Sequence, residues 1–271
     1  MSRLLTGLAM GLLVAAASGQ ATAADWGVQP DPVFKPAYPV DMMPQEDSLD
    51  FEAGIRYFYG MGGQSFNLGG TNYSANDTSH ALEVHGRIDD HSTSTYVKGH
   101  IGYGAITDGE FAPNGGDYNT GRVGYINADF GYLPLDTGSV KAGVFGGYMY
   151  ADESPEGSGP IVHGLRLGVA GQAEFNNIFD ISAEAAIIPY ASVTGSFRNG
   201  GTPVTTLSNV NGSLYGAAGE VMAGFHVTEN FIIRGGARAT YLNGYVTSDQ
   251  PGEQYVESFR WGPVVELTAS F

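Results

Sequence analysis

Residues 259–271, FRWGPVVELTASF, alternate in character: Phe259, Trp261, Val265, Leu267, Ala269 and Phe271 share one face, and Arg260, Glu266, Thr268 and Ser270 share the other. A period of two is what a strand produces when one side meets an apolar phase and the other a polar one, because successive Cβ atoms point to opposite faces of a sheet. No long segment of the chain carries apolar residues at the three-and-four spacing of a helix, and glycine interrupts nearly every candidate.

Working outward from that segment, the same alternation recurs along the chain back to Asp50. Phe51, Ala53, Ile55, Tyr57 and Tyr59 oppose Glu52, Gly54 and Arg56. Leu82, Val84, Gly86 and Ile88 oppose Glu83, His85 and Arg87, and Val97, Gly99, Ile101 and Tyr103 oppose Tyr96, Lys98 and His100. Further strands are predicted over 122–132, 140–150, 162–174, 179–188, 214–227 and 231–241, which makes ten with 259–271. The links after the second, fourth, sixth and eighth strands (89–93, 133–139, 175–178 and 228–230) are short, whereas the others are longer and rich in Gly, Asn, Ser and Pro. The tetrad Gly60-Met61-Gly62-Gly63 reads as the tip of one such loop, since it opens no helix that could cradle a phosphate.

Composition fits this pattern. The 271 residues include 41 glycines, 16 tyrosines and 14 phenylalanines, yet the mean hydropathy is only −0.09. Aromatic and glycine enrichment with weak overall hydropathy is expected where only alternate strand residues meet lipid. Together with the even strand count and the alternating link lengths, it predicts an all-β fold: a closed antiparallel up-and-down transmembrane β-barrel over residues 50–271, with short periplasmic turns and long extracellular loops. Residues 1–23 read as a cleaved signal peptide, with Arg3 before the apolar run 4–17 and the small-x-small site Ala21-Thr22-Ala23. Residues 24–49, with five prolines and no periodicity, read as an extended periplasmic leader.

The polar face of the strands collects Glu52, Glu83, Asp129, Glu174, Asp180, Glu184, Glu220 and Glu266 against Arg56, Arg87, Lys98, Lys141, Arg166, Arg234, Arg238 and Arg260. That places eight of the 12 basic residues inside a chain whose net charge is −16. Opposite charges confined in a lumen are expected to neutralise one another, since an unpaired buried ion costs several kcal/mol. A three-residue turn over 228–230 sets Glu220 opposite Arg238, and the turn after the second strand sets Glu83 opposite Lys98 or His100. Sixteen such side chains plus Phe58, Tyr96 and Phe145 predict a closed or very narrow interior.

On these residues the chain resembles small proteobacterial outer-membrane β-barrel proteins, and the terminal 265–271 with Phe271 resembles the signature read by the barrel-assembly machinery. The resemblance implies outer-membrane lipids and lipopolysaccharide as surroundings. Strand count alone resembles the omptin surface proteases, which place an aspartate pair and an Asp-His pair at the extracellular mouth. Asp108, Glu110 and Asp117 match the acidic half, but segment 192–212 contains no Asp, Glu or His, so a protease is not expected. A lipid-modifying enzyme would need a histidine beside a serine nucleophile, and His85 is expected to be a hydrogen-bonded interior histidine instead. No cofactor is implied, no zinc spacing occurs, and the acidic balance excludes a nucleic-acid partner. Acidic outer segments (Asp108, Glu110, Asp117; Asp152, Glu153, Glu156; Asp249, Glu253, Glu257) are expected to share divalent cations with lipopolysaccharide phosphates. The expected role is non-enzymatic, structural or surface-interacting, with a narrow diffusion pore as the alternative.

Overall fold

The computed structural model describes residues 48–113, 115–175, 178–199 and 205–271. The expected signal peptide and nearly all of the leader fall outside the described residues. The described chain is a single antiparallel sheet with no helix: β1 (Leu49–Leu68), β2 (Thr71–Asp90), β3 (Thr95–Ala112), β4 (Asp117–Tyr118), β5 (Gly121–Asp136), β6 (Val140–Pro155), β7 (Pro160–Phe175), β8 (Phe179–Asn199), β9 (Thr205–His226), β10 (Phe231–Thr247) and β11 (Gln254–Ser270). Each long strand pairs with its sequence neighbours, the two-residue β4 being an appendage of β3. β1 pairs with both β2 and β11, so the ten long strands close into a barrel. At the seam Phe51 and Phe271 exchange both backbone hydrogen bonds at 3.0 Å, and their rings stack with centroids 6.4 Å apart.

The long strands run from 16 to 22 residues, about twice the roughly 9–11 that one membrane crossing takes. Over the first ten or so residues from the short-turn end, the outward face is apolar: Ile55, Leu82, Val84, Val97, Ile101, Val144, Leu165, Val169, Val221, Val265 and Leu267 are all exposed. Aromatic rings border this band. Phe175, Phe179, Phe225, Phe231 and Phe271 lie at the short-turn end, and Tyr57, Tyr103, Tyr148, Tyr190, Tyr215, Tyr241, Phe259 and Trp261 lie on the far side, as expected of girdles at the two interfaces.

Beyond the band the pattern inverts. In β2, Leu82 and Val84 face out and Glu83 faces in, but further along His80, Asn76 and Thr71–Asn72 are on the outside while Ala81 and Ala75 are buried. Across the sheet the outer half encloses an apolar core of Phe66, Met149, Val162, Ile188, Val193, Phe197, Leu207, Val210, Leu214, Leu242, Val246 and Val256. The segments expected as long outer loops are therefore mostly paired strand, joined by tight connections such as Gly69–Gly70. Gly60-Met61-Gly62-Gly63 is no loop tip: it lies inside β1, paired with Ser79 through Asn76 of β2, and Met61–Gly63 pair with Phe259–Trp261 of β11.

The opposite turns are short and held by side chains. Asp90 accepts from the Ser92 amide at 2.9 Å and the Thr93 hydroxyl at 2.9 Å. Thr228 Oγ1 accepts from the Asn230 and Phe231 amides at 3.2 and 3.1 Å. These are Asx- and ST-type turns, in which a side chain replaces a backbone acceptor. One glycine is dictated by packing: Gly131 lies opposite Tyr96, and a Cβ there would approach the ring to 2.1 Å. The ring instead covers the bare backbone and packs beneath the Arg87 guanidinium, 4.6 Å from its centroid.

Candidate functional site

The inward face of the membrane half carries the charged side chains, because strand parity leaves them nowhere else to point while the other face meets lipid. Arg234 sits between three carboxylates: Glu52 at 3.0 Å, Asp180 at 3.2 Å and Glu266 at 3.0 Å. Arg56 joins Glu266 at 2.5 Å to Glu220 at 3.1 Å. Glu220 also meets Arg238 at 2.9 Å, the cross-strand pair expected from the 228–230 turn, and the two residues are direct partners in the β9–β10 register. Arg238 then grips Glu83 with both terminal nitrogens, at 2.7 and 2.9 Å. A bidentate guanidinium–carboxylate contact is among the stronger charge-assisted geometries, and the Arg238 guanidinium also stacks over the Phe58 ring at 5.0 Å.

A second branch runs through the opposite wall. Lys98 bonds Glu184, and Arg166 bridges Glu184 at 2.8 Å to Asp129 at 2.9 Å. Glu184 and Glu220 face each other across β8 and β9. Like charges directly opposed are destabilising, and here each carboxylate is offset by two cations, Lys98 and Arg166 for one, Arg56 and Arg238 for the other. His100 hydrogen-bonds Asn127 at 3.1 Å and His85 bonds the Thr268 hydroxyl at 3.1 Å, so both histidines have interior partners.

Not every sequence-predicted residue joins the network. Arg87 turns along its own strand to Asp89 at 2.6 Å. Lys141 and Glu174 form no ion pair among the described residues and line the mouth of a cavity of about 240 Å³ at the short-turn end. The expected register, with Glu83 directly opposite Lys98 or His100, is corrected, although His100 Nε2 still approaches the Glu83 carboxylate diagonally, at 4.0 Å. The turn begins only after Asp90, which pairs with Thr95, so Glu83 faces Gly102, Lys98 faces Arg87 and His100 faces His85.

Residues missed from the sequence join the expected Arg260 and continue the network outward. Arg260 meets Glu153 and Asp77, each at 2.8 Å, and donates to the Ser79 hydroxyl at 3.1 Å. Tyr118 donates to Asp77 at 3.1 Å, and burial reinforced by that carboxylate pushes the tyrosine pKa up, keeping the hydroxyl a donor. Asp152 pairs with Arg122 at 3.1 Å and Glu156 with Arg198 at 3.1 Å. The sequence places these acids in outer loops, although alternation persists through their strands with its apolar residues on the other parity. Beside Glu153 and Arg260 lies a second cavity, of about 60 Å³, lined by those two residues, by Arg238 and by Phe58, Tyr125, Met149, Val162 and Leu242. His100, Asn127, Arg166, Glu184 and Glu220 line both cavities and stand between them. The described residues contain no cluster of three or more His, Cys, Asp or Glu suited to a metal ion.

The His–Asp pairs that form, His226–Asp180 at 2.9 Å and His91–Asp50 at 2.6 Å, lie at the short-turn end rather than at the outer mouth. Phe271 is 71 % exposed at the seam, on the apolar exterior.

No protein-family model matches the chain, and no curated protein is similar to it in sequence. Among solved structures, the outer membrane protease OmpT from Escherichia coli superposes with a TM-score of 0.53 at 12 % identity, over 84 % of this chain and 98 % of that one. An outer-membrane channel from Pseudomonas putida F1 gives 0.40 at 11 % identity, over 90 % of this chain and 100 % of that one. The outer membrane protein OprG from Pseudomonas aeruginosa gives 0.35 at 11 %, over 82 % and 95 %. At these identities the likeness concerns the fold alone. The closed ten-strand antiparallel barrel with its lipid-facing band is thus the fold of the outer-membrane β-barrels.

Proposed function

We propose that this protein is a non-enzymatic, non-conducting barrel of the bacterial outer membrane, whose filled interior makes it a rigid mount for its outer hairpins. Residues 1–23 serve as its export signal, and Phe271 serves as the terminal residue read by the barrel-assembly machinery. The observation that carries the reading is the interior itself. Ion pairs from Arg234 to Glu83 cross the bore through the membrane half, and an apolar core occupies the outer half. Water and ions would have to displace both to pass. A charged lumen tunes conduction only where the bore is wide enough to stay wet, and a ten-strand barrel is little wider than one that side chains fill.

A protease reading has less support. In the outer half Asp77 and Glu153 are held by Arg260 and Asp152 by Arg122, while His80 and His163 sit on the exterior wall. Single-channel recording in planar bilayers tests the proposal. The expected result is silence from protein that shows heat-modifiable gel migration; stable, reproducible openings would overturn it in favour of a narrow pore.

A further inference from the structure

Two places on the outer wall share one arrangement. On β1 and β2, Tyr57 hydroxyl bonds His80 Nδ1, and Tyr59, the direct register partner of His80, meets the imidazole edge-on with centroids 5.1 Å apart. On β6 and β7, Tyr148 hydroxyl bonds His163 Nδ1 at 2.6 Å. Tyr150, the register partner of His163, meets that imidazole edge-on, again at 5.1 Å. The hairpins are not neighbours in the barrel, yet Tyr59 and Tyr150 each stand ten residues beyond the first residue of their strands. At about 3.3 Å per residue along a tilted strand, that is one crossing of the hydrocarbon layer, so both clusters lie where headgroups of the outer leaflet begin.

The chemistry of each cluster favours an anion. The tautomer in which the tyrosine hydroxyl donates to Nδ1 carries its imidazole proton on Nε2, and no described residue partners Nε2 in either exposed histidine. In that tautomer each cluster offers an unpartnered N–H beside a second tyrosine ring. The exterior is otherwise poor in cations, because most arginines and lysines of the described chain point inward. The exceptions on the outer wall are Arg122, half-exposed and paired with Asp152 on the strands next to Tyr150, and Arg198, a third exposed and paired with Glu156. Asp152 is already neutralised by Arg122 and leaves the histidine side of the cluster open.

We propose that His80 with Tyr57 and Tyr59, and His163 with Tyr148 and Tyr150, form twin sites for the phosphate groups of outer-leaflet lipid headgroups. The proposal rests on the outer-membrane reading but not on the closed interior. The test uses the full-length barrel in mixed micelles, titrated with diphosphoryl lipid A and with the same lipid after enzymatic removal of its phosphates, and follows the side-chain nitrogen resonances of both histidines. The phosphorylated lipid should shift both resonances saturably and the dephosphorylated lipid should not. His80→Gln and His163→Gln should each weaken binding at their own cluster on the order of ten-fold, the worth of one charge-assisted hydrogen bond, with Tyr57→Phe and Tyr148→Phe acting in the same direction. Heat-modifiable migration monitors the fold of every variant. Equal shifts with the dephosphorylated lipid, or with inorganic phosphate alone, would overturn the proposal, as would no shift at all. Bilayer recording reports the filled interior separately, so either reading can fail alone.

Discussion

Glu83 and Arg238 form one of the bidentate ion pairs of the interior. Glu83 has no exposed surface and receives both terminal nitrogens of Arg238 at 2.7 and 2.9 Å. Two unit charges centred about 4 Å apart attract by roughly 4 kcal/mol at an effective dielectric near 20. Arg238→Met strands that carboxylate and is expected to cost about 3–5 kcal/mol, the penalty of leaving a buried charge unpaired. Glu83→Gln is expected to cost less, because Arg238 keeps Glu220 at 2.9 Å. In the double variant the stranded charge is gone, so the combined loss should fall short of the sum by about 2 kcal/mol or more. A parallel cycle between Arg238 and Glu220 should show weaker coupling, since Glu220 retains Arg56 at 3.1 Å. The assay is reversible urea unfolding in lipid vesicles, followed by tryptophan fluorescence and by gel migration. Additivity within about 0.5 kcal/mol in the Glu83–Arg238 cycle, or the stronger coupling at Glu220, would refute the reasoning.

Arg260→Met should destabilise by a comparable amount, about 3–5 kcal/mol, because it strands Glu153 and Asp77 together. It should also raise protease sensitivity in the outer hairpins before the membrane half loosens; limited proteolysis of the folded variant checks this. Deleting Phe271 removes the ring stacked on Phe51 and two seam hydrogen bonds. Its expected effect is a several-fold lower yield of heat-modifiable barrel in cells, with refolding into detergent micelles nearly unchanged. An equal loss in both settings would assign Phe271 to stability alone.

The membrane half of each strand is legible in the sequence because lipid forces a strict rule: Ile55, Tyr57, Val84 and Leu267 must face out, and Arg56, Glu83 and Glu266 must face in. The Glu220–Arg238 register could be read because the turn between them is short. The register of Glu83 is not legible, because Asp89 and Asp90 look like turn residues and are the last paired residues of a strand. The outer half escaped for a more general reason. In β2 the alternation never stops, but the apolar residues change sides, from Val84 and Leu82 outward to Ala81 and Ala75 inward. A scan that expects one face to stay apolar reads that change as the start of a loop. Asp77, Glu153 and Arg260 are held together by contacts between distant strands, which no local pattern announces.

The change of sides has a consequence for biogenesis. The membrane half is stable only where a nonaqueous phase wets its wall, whereas the outer half has a wet wall and a dry centre, as a water-soluble β-structure does. During insertion the segments bearing Phe66, Phe197, Leu207 and Val256 must cross the bilayer before they can gather around one another. Their assembly on the far side is then downhill and hard to reverse, because drawing the strands back would scatter that centre. Such a barrel would enter the membrane like a rivet, with its head formed last and from the outside.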